Sequence, residues 1–153
     1  MKGSLQESYA PHNSCFGCGV ANHHGLQIKS WVQNDIVIAD WQAKPYHEAF
    51  PGILNGGIIG TLLDCHSNWT AAYFLMLQSK AKTPPCTVTA YFNVTLKRPT
   101  PSDIPVHLEA SVKEIKEDRA LIQASLFSQD KLCATCEGLF VAVKEGHPAY
   151  HRW

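Results

Sequence analysis

The sequence predicts an α+β fold in which a curved antiparallel sheet of about five to six strands wraps around one long central helix. Three observations predict it. The stretch Ile58–Leu77 is the most apolar in the chain and is apolar nearly all round, which marks an enclosed helix and not a surface one. Almost everything after Pro85 alternates with period two and is rich in β-branched and aromatic residues, as strands are. The connections between those strands are short, which favours antiparallel neighbours.

The elements follow in order. Residues 1–24 read as an irregular polar segment holding Cys15-Phe-Gly-Cys18-Gly19 and Asn22-His-His-Gly25. Leu26–Trp31 alternates like a half-buried strand, Asn34-Asp35 turns the chain, and Ile36–Trp41 is a second strand. Two prolines and a glycine make Ala43–Gly52 a loop. The helix is predicted from Asn55–Gly57 to about Leu77, ~30 Å long, and Lys80–Pro85 ends it. Strands are predicted over 86–98, 106–116, 120–127 and 132–143, with breaks at Pro99–Asp103, Glu117-Asp118 and Gln129-Asp130. Residues 145–153 read as a C-terminal tail, and the 153 residues together as a single domain.

Composition excludes several function classes. Lys plus Arg equals Asp plus Glu at 13 each, so the basic excess that non-specific nucleic-acid binding requires is missing. Asn55, Asp64, His66, Ser67 and Asn68 interrupt the apolar run, which argues against a membrane span. Residues 1–11 contain no apolar signal region, so a cytoplasmic protein with its six cysteines reduced is expected.

Asp64 is the most informative residue. A carboxylate inside an apolar helix is costly unless something uses it. Upstream, Asn55-Gly56-Gly57 opens the helix with bare backbone N–H groups, and such a helix start suits a polar or anionic ligand. A carboxylate and an oxyanion site are the parts needed to cut an acyl bond.

The order of elements and these residues resemble the hot-dog-fold acyl-CoA thioesterases, and within them the branch of phenylacetyl-CoA-type enzymes. The family pattern is His-Gly-Gly, six residues, then Asp; here Asn55-Gly56-Gly57, six residues and Asp64 match it with Asn in place of His. His47–Leu54 and Val88–Pro99 are also similar, and Thr89 falls where relatives carry a site Ser or Thr. Cys-Phe-Gly-Cys-Gly followed by Asn-x-x-Gly-Leu recurs in similar sequences. The resemblance covers roughly residues 15–144. It implies hydrolysis of an acyl-CoA to free acid and CoA, with Asp64 as general base or nucleophile and the Gly56 N–H as main oxyanion donor. No cofactor is expected, since coenzyme A belongs to the substrate, and no metal.

Helix geometry adds a constraint. Asp64 lies eight residues beyond Gly56, ~12 Å along one helix, whereas base and oxyanion donor must each approach one small carbonyl within ~3 Å. A neighbouring subunit related by a two-fold axis can bring its Asp64 opposite this Gly56. A homo-oligomer is therefore expected, and the resemblance implies a dimer or dimer of dimers.

Other residues carry two readings each. Asn55 is either a helix cap or part of the site. Gly57 either binds substrate or packs the helix start. His47 orients the acyl group or water, or simply faces solvent. Thr89 hydrogen-bonds Asp64 or serves only its strand. Lys97 and Arg98 bind the phosphates of CoA or are ordinary surface charges. His66 points to another helix face and is structural. Cys15 and Cys18 could chelate zinc with His23 and His24, whereas Cys133 and Cys136, three apart in a strand, face opposite sides. The alternative functions are an acyl-thioester-binding protein without turnover, a zinc-binding module, and a hydratase, whose Asp/His pair is not found.

Overall fold

The central helix begins and ends where short-range chemistry dictates. In the computed structural model, which describes residues 2–153, it spans Gly56–Ser79. Asn55 precedes it in extended conformation, and its side-chain Oδ1 accepts from the Gly57 N–H at 2.8 Å and the Ile58 N–H at 3.2 Å. That is N-cap geometry. At the other end Lys80 turns left-handed (φ 55°) and its N–H donates to the Leu77 and Met76 carbonyls. Pro84 and Pro85 then prevent any continuation.

The elements, in chain order, are α1 (Leu5–Tyr9), β1 (Trp31–Gln33), β2 (Ile36–Trp41), a 3-10 turn (Pro45–His47), β3 (Glu48–Phe50), β4 (Ile53–Leu54), α2 (Gly56–Ser79), β5 (Thr87–Leu96), β6 (Val106–Lys116), β7 (Arg119–Ser128) and β8 (Lys131–Ala142). Six strands form one antiparallel sheet in the order β1-β2-β6-β7-β8-β5, and β3 pairs with β4 alone. The predicted two-residue turns join β1 to β2, β6 to β7 and β7 to β8. Their first residues, Asn34, Glu117 and Gln129, all take positive φ, as tight primed hairpin turns require.

The sheet packs on α2 through β5, β6, β7, β8 and β2. Leu62, Leu63, Trp69 and Ala71 of the helix are at most 1% exposed, and so are Leu108, Ile122, Leu126 and Phe140 of the strands facing it. Enclosure extends to polar helix residues His66, Ser67 and Thr70, all fully buried. Among the described residues no helix is long and apolar enough to cross a membrane.

Two expectations need correction. Leu26–Trp31 does not form a strand; only Trp31–Gln33 joins the sheet. The reason is local competition: the Leu26 and Ile28 amides donate to the Phe16 and Gly17 carbonyls, at 2.7 and 3.0 Å, so this stretch pairs with the cysteine loop instead. Residues 1–24 are also not wholly irregular. Ser4 and Glu7 form a reciprocal capping box that starts α1, a pattern visible in Ser4-x-x-Glu7.

His66 shows how the core tolerates polar groups. Its Nε2 lies 2.9 Å from the Val37 carbonyl, which can only accept, so Nε2 carries the proton. Nδ1 then accepts from the Ser30 hydroxyl at 2.8 Å, and Ser30 Oγ in turn accepts from Gln6 Nε2 at 3.1 Å. The neutral ring is fully satisfied and a second proton would break the chain. Burial pushes its pKa down to about 4.

A folded-state pKa near 4 against 6.5 unfolded means that the unfolded chain binds the extra proton first as pH falls. The stability His66 protects is fully present above pH 6.5, falls between pH 6.5 and 4, and levels off below. The expected loss is roughly 3 kcal/mol. An NMR titration should find the His66 ring neutral at pH 6, protonated on Nε2 and titrating near pH 4; an ordinary value near 6.5 would contradict the assignment.

Candidate active site

Strand and helix periods bring Thr89 to Asp64. Residues 87 and 89 of β5 point to one face, separated by roughly 7 Å; residues 64 and 68 of α2 share a face, separated by ~6 Å. The two spacings match, and the elements run in opposite directions. Thr87 Oγ1 therefore donates to Asn68 Oδ1, and Thr89 Oγ1 donates to Asp64 Oδ1 at 2.8 Å. Just beyond, β5 bulges: Thr89 pairs with Phe140 and Tyr91 with Leu139, leaving Ala90 as an extra residue. Such bulges re-aim side chains and recur beside active sites.

The Thr89 bond engages Oδ1 of Asp64, and among the described residues no donor engages the second oxygen. Asp64 is partly buried, and that burial raises its pKa above the ordinary carboxylate value. The Thr89 hydrogen bond pulls it back, Cys15 pushes it up again, and Arg152 opposes that push. A carboxylate held in this way is a stronger base than a fully solvated one.

Gly56 sits at the opposite end of the site geometry. It is the first residue of α2, and the Asn55 cap takes up the N–H groups of Gly57 and Ile58 but not that of Gly56. Among the described residues no acceptor takes the Gly56 N–H. This free donor, at the positive end of the helix dipole, borders a mostly apolar groove of about 330 Å³. Phe50, Ile53, Leu96 and Pro99 form its walls, and Lys97 and Arg98 stand at its edge. Both of their backbone N–H groups donate to the Cys133 carbonyl, at 2.8 and 3.1 Å, which fixes where they emerge.

The structure thus gathers the sequence candidates into two places. Asp64 and Thr89 meet on one flank of α2; Gly56, Lys97 and Arg98 share the groove at its start. Asn55 caps the helix, and the Gly57 N–H is engaged by that cap. His47 uses Nδ1 to accept from the Lys44 N–H at 3.0 Å, with its ring 5.2 Å from that of Trp41. Desolvation, then the charge of Lys44, lowers its pKa. Its carbonyl accepts from the Asn55 N–H at 3.0 Å, so it holds the helix entry by backbone. The tail was expected to be only a tail, yet Trp153 stacks on Trp69 of α2 at 4.4 Å and Arg152 acts on Asp64. No spacing or motif near residue 64 signals that return; the aromatic Trp153 at the chain end is its only trace.

Comparison with known proteins supports the fold. No family model matches the chain, and no curated protein sequence matches it. Among solved structures, a thioesterase superfamily protein from Shewanella loihica is 29% identical over 82% of this chain and 98% of its own, with a TM-score of 0.66. A Haemophilus influenzae thioesterase superposes with a TM-score of 0.70 at 17% identity, covering 85% of this chain and 90% of its own. The E. coli PaaI protein of the phenylacetic acid degradation operon gives 0.66 at 12% identity, covering 78% and 81%. The six-stranded sheet around one long helix is the hot-dog fold, and the chain resembles the thioesterase superfamily structures that share it, those of phenylacetic acid degradation included.

Proposed function

We propose that the protein hydrolyses an acyl-CoA thioester to a free acid and CoA, at sites shared between two subunits. The observation that carries this reading is the pair of half-sites on one helix: a carboxylate positioned by Thr89, and eight residues away an N–H without an acceptor. Asp64 takes a proton from the water that attacks the thioester carbonyl, or attacks that carbonyl itself to form an acyl-aspartate anhydride that water then cleaves to the free acid. The Gly56 N–H donates to the oxygen that becomes negative. The thiolate of CoA leaves. The groove beside Gly56 receives the thioester, and Lys97 and Arg98 at its edge pair with CoA phosphates.

The shared site rests on reach and on an unfinished edge. Asp64 and Gly56 of one chain stand ~12 Å apart along the helix, too far to serve one carbonyl. β5 is an edge strand of ten residues that exposes Tyr91 (45%), Phe92 (41%) and Leu96 (55%). A long, apolar edge of this kind calls for a partner. A second copy pairing along β5 covers it and brings the two helices side by side. The two-fold relation then sets the partner's Asp64 toward this chain's Gly56.

One observation favours a second reading, binding without turnover. Asn55 stands where the resembling enzymes carry His, and its side chain is spent on the cap.

The first test measures CoA release from short-chain, long-chain and aromatic acyl-CoAs. Wild type should turn over at least one, and Asp64→Asn should lose about 10²–10⁴-fold in kcat. Unchanged turnover in the variant removes Asp64 from the mechanism. Tight acyl-CoA binding with no turnover by wild type establishes the binding reading.

Gly56→Pro isolates the oxyanion donor. Proline is tolerated at a first helical position and removes only the N–H; Asn55 already has the extended backbone it requires (ψ 133°). A Cβ at this position meets only Leu96 Cδ1, at 3.0 Å, the free end of a flexible side chain. The variant should fold and lose about 10²–10³-fold in kcat. Full activity would contradict the donor role.

Phe92→Asp should convert the protein to a monomer by light scattering and abolish turnover together. A fully active monomer would sink the shared site.

A further inference from the structure

Three sulfur atoms meet beside α2 that the acyl chemistry does not use. Cys15 and Cys18 come from the N-terminal loop and Cys65 from the helix, and their Sγ atoms all lie within 4.8 Å of one another. The Cys15–Cys65 separation is 3.8 Å. A tetrahedral zinc ion with Zn–S bonds of ~2.3 Å has S–S edges of ~3.8 Å. The three sulfurs therefore already stand close to three corners of a zinc-sized tetrahedron. Cys18 and Cys65 are buried and Cys15 is partly so, which leaves one side of the cluster approachable.

The surroundings are built around these sulfurs. Trp69 Nε1 donates to Cys18 Sγ at 3.3 Å, and the Gly17 and Cys18 N–H groups nearby belong to the tight loop that carries Cys15. N–H groups aimed at sulfur stabilise a thiolate, and they are the outer contacts a metal–thiolate site uses. The loop closes tightly, with the Gly19 N–H bound to the Cys15 carbonyl at 2.8 Å and the Cys15 N–H bound to Asn13 Oδ1 at 2.9 Å. Two positions admit only glycine. A Cβ at Gly17 would fall 2.3 Å from Cys65 Sγ, and one at Gly19 would fall 2.5 Å from the Cys15 backbone. The chain is thus shaped so that the loop reaches the helix sulfur.

We propose that Cys15, Cys18 and Cys65 bind a thiophilic divalent cation, zinc first among them, through three thiolates, with the fourth corner left to a water or an outside ligand. Binding replaces the three S–H protons by one cation and releases those protons to solvent. The site pins residues 13–28 to α2 one residue beyond Asp64. It stands whether or not Asp64 hydrolyses a thioester. No metal is expected from sequence, and His23 and His24, the nearby histidines considered there, are not among the donors; the third is Cys65, a helix residue 47 positions beyond Cys18 (65 − 18).

Metal analysis of the whole protein, purified without chelators or a metal column, tests this. About one zinc per chain is expected. After EDTA treatment, titration with Co2+ alone should produce a thiolate-to-cobalt charge-transfer band that saturates at about one equivalent and is bleached by Zn2+. Cys18→Ser should weaken binding at least ~100-fold and Cys133→Ser should leave it unchanged. Should Cys18→Ser fail to fold, the wild type still decides. Zinc should shield three of its six thiols from maleimide, and peptide mapping should find them at 15, 18 and 65. No bound metal with no cobalt band, equal labelling of all six thiols with and without zinc, or a Cys15–Cys65 disulfide in the isolated protein would overturn the proposal.

Discussion

A carboxylate on an enclosed helix must find a partner, and the hydrogen bond from Thr89 to Asp64 meets that demand. The rest of the site follows from where this bond lies. It fixes the register of β5 against α2, together with the Thr87–Asn68 bond one turn further on. It engages one carboxylate oxygen, and no described residue donates to the other. It also places Asp64 too far along the helix to serve the N–H that the same helix offers at Gly56.

That distance connects the chemistry to assembly. The Asn55 cap satisfies the second and third N–H groups of α2 and spares the first. The strand that supports Asp64 is also the strand left at the edge of the sheet. One element therefore has two features: β5 holds the carboxylate from below and has one side open at the edge of the sheet, the side proposed to meet a second copy. On the far side of Asp64, Cys65 and the cysteine loop form a separate cluster, so three consecutive helix residues serve different ends. Asp64 faces β5, Cys65 faces the loop, and His66 faces Ser30 and Val37. Successive residues on a helix point ~100° apart, which is why a single turn can do this.

What was legible in the sequence was what local physics writes there. The α+β architecture, the two-residue turns and the helix start at Asn55 all depend on neighbours within a few positions. The Thr89–Asp64 bond was readable as a possibility only because both residues sit in a recognisable pattern. The remainder depends on long-range contacts. Leu26–Ile28 alternates like a strand but finds its partners in Phe16 and Gly17. Cys65 looks like a lone helix cysteine until the loop folds onto it. Arg152 and Trp153 lie more than 80 positions from the residues they act on, so no spacing could announce them.

If Asp64 of one subunit works with Gly56 of another, as proposed, mixing of altered subunits restores activity. Asp64→Asn and Gly56→Pro should each be nearly inactive alone. When equal amounts are unfolded and refolded together, mixed dimers contain one doubly altered site and one intact site. Recovery of about a quarter of wild-type CoA release is expected for random assortment. No recovery from demonstrated mixed dimers would mean that each site is built from one chain, and would contradict it.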